Sequence, residues 1–190
     1  MRAQIILIPL LVLAGCSKPA EQGANEAAAA EEAGPAKGVD RSHKGQAAPA
    51  VEFNDPDGGS ISLADFKGTP VLMNLWATWC APCVKELPTL DRLASAFRKD
   101  GTLGVIAVSQ DMGPHASVEA FLETKGIRDL GAYQDAKMGL SGALGAQVLP
   151  TSILFDAQGK EVWRYVGDLD WTAPEAAKLL SEGGVVPPAD

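Results

Sequence analysis

The sequence predicts a single α/β domain built on a mixed sheet flanked by helices, and three observations predict it. An apolar run, Val71-Leu72-Met73-Asn74-Leu75-Trp76, precedes a segment in which Val84, Leu87, Leu90, Ala94 and Phe97 recur at three- and four-residue spacing. A second continuous apolar run, Leu103 to Ser109, has the composition of a buried parallel strand, and a helical pattern through Val118, Phe121 and Leu122 follows it. Strand, helix, strand, helix in this order implies right-handed crossovers and a parallel core. Towards the C-terminus, Ser152-Ile153-Leu154-Phe155, the turn Asp156-Ala157-Gln158-Gly159 and the run Glu161 to Val166 read as an antiparallel pair. Parallel and antiparallel pairings in one chain make the sheet mixed.

The chain divides into residues 1–15, 16–47 and 48–190. Arg2 gives a positive start, and Ile5 to Ala14 are apolar apart from Pro9. An apolar stretch this short reads as a signal peptide rather than a spanning helix. Leu13-Ala14-Gly15-Cys16 resembles the bacterial lipobox, which implies that Cys16 is lipidated and becomes the new N-terminus. The cysteine count agrees, because acylation removes an odd third thiol from an oxidising compartment. Residues 17–47 are rich in Ala, Glu, Gly and Lys and lack aromatic residues. Such a segment cannot bury enough surface to offset chain entropy and reads as a flexible tether, with His43 a solvated bystander.

Residues 48–190 are long enough to bury a real core. Val51 and Phe53, Asp55-Pro56-Asp57-Gly58-Gly59, then Ile61 and Leu63 read as a hairpin around a glycine turn, and Ser62 with Asp65 caps a short turn carrying Phe66. Pro88 is expected to kink the first helix by removing a hydrogen bond. Ser117 is placed as the cap of the second helix, which ends near Gly126. Asp129 to Gln134 reads as one short strand and Ala136 to Leu144 as one short helix. Thr172-Ala173-Pro174-Glu175 has the pattern of a capping box for the last helix, which stops at Gly183-Gly184. With 24 acidic against 16 basic residues, the formal charge of −8 argues against nucleic acid and against polybasic contact with anionic lipid. It favours neutral or basic protein partners.

The chemistry lies where the first strand meets the first helix, at Trp79-Cys80-Ala81-Pro82-Cys83. Cys80 falls at a helix N-terminus, where unpaired backbone N–H groups and the helix dipole stabilise a thiolate. Cys83 is one turn on and on the same face, close enough to close a disulfide. An attacking thiolate and a resolving neighbour are the minimum apparatus for thiol–disulfide exchange. A zinc site would need two further Cys or His ligands, and Cys16, His43 and His115 lie in unrelated contexts. An inert structural disulfide is also disfavoured, because closing so short a loop stabilises little.

Trp76-Ala77-Thr78-Trp79-Cys80-Ala81-Pro82-Cys83-Val84-Lys85-Glu86-Leu87-Pro88 resembles the active-site signature of the TlpA/ResA-type thiol–disulfide oxidoreductases of the thioredoxin superfamily. The resemblance extends over about Pro49 to Leu180. It implies a thioredoxin-like fold with an N-terminal β-hairpin extension, and a catalytic set of Cys80, Cys83, Glu86 and Pro150. Pro150 matches the family's cis-proline, whose loop faces the dithiol and offers backbone groups to an extended client, with Leu149 beside the sulfurs. Glu86 matches the acid that ResA-like proteins use near their cysteines, where it would manage their proton. In thioredoxin itself the buried acid lies on the preceding strand, at the position of Asn74, and an amide cannot take over that role. Trp76 and Trp79 are read as packing that shields the disulfide, Trp79 also shaping the docking surface, and His115 as an exposed loop residue.

The implied activity is that of a lipid-anchored reductase facing the periplasm of a bacterial envelope, with protein disulfide clients and a membrane thiol electron donor and neither cofactor nor metal. A thiol peroxidase would call for Pro-x-x-x-Thr-x-x-Cys, which the residues before Cys80 do not supply. A copper-assembly module would use soft thiolates, but with a wider cysteine spacing. Between the cysteines, Ala81-Pro82 offers no cation to stabilise the thiolate, which leans the pair towards a reductant or a mild isomerase. Cys80→Ser should abolish reductase activity, and Cys83→Ser should accumulate mixed disulfides. Alkylation of the reduced protein at neutral pH should label Cys80 first, and labelling of Cys83 first would reverse the assignment.

Overall fold

The structure, a computed structural model, describes residues 36–186. The expected signal peptide, the expected lipidation at Cys16 and most of the expected tether lie outside them. Eight strands form one sheet: β1 (Gly38–Asp40), β2 (Glu52–Asn54), β3 (Ser60–Ser62), β4 (Val71–Trp76), β5 (Gly104–Ser109), β6 (Tyr133–Gln134), β7 (Thr151–Phe155) and β8 (Glu161–Val166). Four α-helices accompany them, α1 (Ala81–Phe97), α2 (His115–Thr124), α3 (Gly139–Leu144) and α4 (Pro174–Glu182), together with a short 3₁₀ helix at Leu63–Phe66. The spatial order is β1-β8-β7-β4-β5-β6-β2-β3. The β4, β5 and β6 strands run parallel, whereas β7 is antiparallel to β4 and β8 to β7. This is the mixed, thioredoxin-like sheet that the sequence predicts, and the expected hairpin, β2–β3, joins its β6 edge.

Alternation along the buried strands builds two cores. Leu72 and Trp76 of β4, Ala107 of β5 and Leu154 of β7 face a cluster completed by Leu87, Leu90 and Phe97 of α1, Val118 and Leu122 of α2, and Leu179 and Leu180 of α4. Val71, Met73 and Leu75 of β4, Ile106 and Val108 of β5, and Ile153 and Phe155 of β7 face the other way, onto Leu140 and Leu144 of α3 and Phe53 of the hairpin. The two-residue period of an extended chain thus assigns each strand residue to a face. Asn74 and Ser152 share the parity of Leu72 and Leu154 and lie on the α1 side, both fully buried. Trp163 donates its indole N–H to the Leu179 carbonyl at 2.9 Å and fastens α4 to β8.

Several local expectations are corrected. Residues 38–40, assigned to the tether, form β1 and pair antiparallel with β8, and Ala47 bridges Lys160. With Val39 as its one aliphatic side chain, exposed, this strand is held by backbone hydrogen bonds to a sheet edge, a stabilisation that composition does not display. His43, expected to be a solvated bystander, keeps a partly exposed ring 3.3 Å from the Gln46 side-chain oxygen, which leaves that expectation in place. Pro88, expected to kink α1, lies inside that helix without ending it, so this expectation is not among those overturned. The α2 helix begins at His115, with Pro114 in the capping position and Ser117 inside it. Thr172 caps nothing: it bonds Asp170, and α4 starts at Pro174 after Ala173.

One charged pair is buried within the sheet. Arg164 donates through Nε and Nη2 to the two carboxylate oxygens of Glu161, each at 2.7 Å, and through Nη1 to the Leu144 carbonyl at 2.7 Å. Both side chains are almost fully buried. Glu161→Ala should strand the guanidinium at a cost of about 3–5 kcal/mol, read as a lower urea midpoint. Replacing both partners by Leu and Met should cost far less, since no lone buried charge remains.

Candidate active site

The turn that presents Cys80 is fixed from the neighbouring parallel strand. After β4, the Cys80 N–H donates to the Ala77 carbonyl at 3.1 Å. Asp111, just beyond β5, accepts the Thr78 N–H at 2.9 Å and its hydroxyl at 2.7 Å. Ser109 donates its hydroxyl to the same carboxylate at 2.7 Å. Cys80 itself occupies the capping position of α1. Pro82 has no N–H to offer, and the N–H of Cys83 points at Cys80 Sγ, 3.3 Å away. That donor and the helix dipole favour a thiolate on Cys80 once the pair is reduced.

Cys80 and Cys83 are joined by a disulfide, with Cα atoms 5.3 Å apart. Cys80 keeps 5% exposure and Cys83 none, so Cys80 is the less deeply buried of the two. The Leu149–Pro150 bond is cis. Leu149 packs against the cluster that contains both cysteines. The two tryptophans separate: Trp76 is fully buried with its ring 5.8 Å from that of Phe121, whereas Trp79 is 69% exposed and shields little. Trp79 and Leu149 line a groove of about 430 Å³ together with Met138, Ala146 and Gln147.

Glu86 is not the solvated helix residue that its type suggests: it is 3% exposed, one turn beyond Cys83 on the buried face of α1. Asn74 Nδ2 donates to Oε1 at 2.7 Å, and the backbone N–H of Leu169 donates to Oε2 at 3.0 Å. Burial pushes its carboxyl up to about 7 from an ordinary 4.5, against the pull of these two donors and a weaker one from Trp171. The nearby charge of Asp168 adds to the upward push. The Trp171 indole N–H nevertheless makes no hydrogen bond of good geometry, so the Asn74 and Leu169 contacts are the ones that count. A cavity of about 240 Å³ lined by Lys85, Glu86, Thr89, Asp168, Leu169 and Asp170 lies alongside the carboxyl.

The loop between β8 and α4 carries no motif in the sequence, yet it completes the site. Its Asp168 is held by Lys37 at 2.6 Å and Lys85 at 3.3 Å, which keep its carboxyl below the usual range. The Trp171 backbone N–H donates to Thr89 Oγ1 at 3.2 Å. Leu169 acts through its backbone, which no side-chain pattern announces. His115 is not an exposed loop residue: it opens α2, half-buried, with Nε2 2.6 Å from the Ala132 carbonyl. Among the described residues no group of three His, Cys, Asp or Glu side chains is arranged to hold a metal ion.

A thioredoxin-like sheet carrying a Cys-x-x-Cys disulfide at a helix start defines a thiol–disulfide oxidoreductase. The redoxin family profile matches residues 43–180. The chain is 36% identical over 124 residues to the thiol-disulfide oxidoreductase ResA of Bacillus thuringiensis, covering 65% of this chain and 70% of that protein. It is 31% identical over 133 residues to the ResA of Halalkalibacterium halodurans, covering 69% and 74%. A thiol:disulfide interchange protein from Bacteroides sp. superposes with a TM-score of 0.56 at 30% identity, over 64% of this chain and 80% of that one. The chain belongs to the redoxin family and, within the thioredoxin superfamily, to its TlpA/ResA type.

Glu86 also gives folding a pH dependence. Its carboxyl holds a proton in the folded chain up to about 7 but in the unfolded chain only up to 4.5. Between these values the folded state binds more protons, so the contribution is present in full below the lower value and lost above the higher. The difference between the two values corresponds to about 3 kcal/mol. Urea unfolding of the oxidised protein at about pH 5 and about pH 8 should show this loss, and Glu86→Gln should remove most of it.

Proposed function

We propose that the protein is a lipid-anchored disulfide reductase of the bacterial envelope, facing the periplasm. Through Cys80 and Cys83 it would reduce disulfides of client proteins such as apocytochromes or copper-site proteins. A membrane thiol donor would return the electrons, and Cys16 would supply the anchor. The observation that carries the reducing direction is the buried carboxyl of Glu86 one turn from Cys83, with no cation in the Ala81-Pro82 link. A stabilised thiolate makes a dithiol oxidising, and a destabilised one makes it reducing.

In the reaction, the Cys80 thiolate attacks a client sulfur, forms a mixed disulfide and releases the client's other thiolate. Cys83, losing its proton, then attacks Cys80 Sγ, expels the second client thiolate and closes the Cys80–Cys83 bond. Glu86 would take up the proton that Cys83 sheds, a role suited to a carboxyl that titrates at about 7. The groove bounded by Trp79, Met138 and Leu149 would seat apolar client side chains. Beside it, the cis-Pro150 segment would offer backbone groups to an extended strand.

Insulin reduction tests the activity, and a Cys83→Ala variant should trap the client as a mixed disulfide with Cys80. Ionised Glu86 disfavours the thiolate, so Glu86→Gln should lower the Cys80 pKa and make the protein more oxidising. A tenfold gain in the acidity of Cys80 corresponds to about 30 mV in the two-electron couple. The difference should be present above about pH 7 and fade below it, where wild-type Glu86 is itself neutral. Identical thiolate absorbance curves and identical equilibration with glutathione would remove Glu86 from the mechanism.

A further inference from the structure

Asn74 has one buried polar atom that the fold leaves alone. Its Nδ2 uses both hydrogens, one on Glu86 Oε1 at 2.7 Å and one on Ser152 Oγ at 2.9 Å. Its Oδ1, fully buried, has no partner among the described residues. The arrangement suits an ionised carboxylate, which only accepts. A protonated carboxyl instead needs an acceptor for its O–H. The Leu169 contact cannot supply one, because a backbone N–H only donates. Around Glu86 stand Asp168 and Asp170 from the loop, Lys85 and Cys83 from α1, Lys37 before β1 and Tyr165 from β8. None of them makes a hydrogen bond to the Glu86 carboxyl among the described residues.

The acceptor already present is Asn74 Oδ1. The amide oxygen and nitrogen are nearly the same size, so turning the group about its last bond exchanges them without a steric change. We propose that Asn74 is a positioning residue whose amide reverses when Glu86 takes up a proton. In the turned state Oδ1 accepts the Glu86 O–H, now on Oε1. It also accepts the Ser152 hydroxyl, which changes from acceptor to donor as a hydroxyl can. Glu86, Asn74 and Ser152 therefore form one unit with two hydrogen-bond arrangements, and a proton enters or leaves the buried acid with no movement of the backbone. In the turned state the NH₂ group replaces the oxygen as the atom without a partner. A lone buried donor is tolerated less readily than a lone acceptor, so Asn74 on balance favours the ionised acid.

The amide reversal rests on the reading of Glu86 as the proton carrier of the dithiol, and one titration separates the two. The full oxidised chain, labelled with ¹⁵N-asparagine and ¹³C-glutamate, is titrated by NMR from about pH 9 to about pH 5. Above the Glu86 midpoint the Asn74 NH₂ protons should show cross-peaks to Ser152 Hβ and Glu86 Hγ. Below it these should be lost, in step with the carboxyl carbon. In Glu86→Gln the Asn74 signals should no longer move with pH. A carboxyl that titrates while the amide contacts stay unchanged overturns the role of Asn74 and leaves the proton-carrier reading standing. A carboxyl that does not titrate in this range overturns both.

Discussion

The buried carboxyl of Glu86 is the point at which the separate elements of this domain meet. A strand supplies Asn74, the active-site helix supplies the acid, and the loop before the last helix supplies the Leu169 N–H, at 2.7 and 3.0 Å. Burying a carboxyl is costly unless its oxygens are satisfied. Here two donors satisfy it only in part, and the balance leaves it titrating near neutrality. A surface carboxylate would be permanently charged at neutral pH, and an unpaired buried one would be held neutral. The fold sets the acid between these limits, next to a pair of thiols whose exchange chemistry takes up and releases protons.

The dithiol depends on a second constraint. A parallel strand must hand the chain to a helix within a few residues, and the turn from Ala77 to Cys80 does so while braced by Asp111 from the adjacent strand. The result places Cys80 at the helix start and Cys83 inside, giving the two residues unequal exposure. Chemical asymmetry between two identical residues thus follows from position along one helical turn. Trp79, next to Cys80 in the chain, stays exposed, and with Leu149 it lines the neighbouring groove.

Much of the fold is legible in the sequence because its signals are local. The β4 and β5 strands are where the apolar runs put them, and the faces of α1 follow from three- and four-residue spacing. Helix starts are less legible. Ser117 and Thr172 are good caps by type, yet α2 and α4 begin elsewhere because Pro114 and Pro174 fit a helix start equally well. The β1 strand is invisible to a local reading, since its partner is a sheet edge formed by residues far along the chain.

By itself the sequence determined the mixed α/β sheet, the dithiol at its strand–helix junction and the identity of the acid one turn beyond, because each rests on residues adjacent in the chain. Only the tertiary structure decided what that acid is. The Leu169 donor lies 83 residues from Glu86, and the ion pair holding that loop joins Lys37 to Asp168 across 131 residues. A carboxyl's pKa is fixed by desolvation and by the donors that reach it, and both are properties of packing between distant segments. The same sequence position, exposed, would be an ordinary surface glutamate. Closed over by the loop before α4, it has its carboxyl pushed up to about 7.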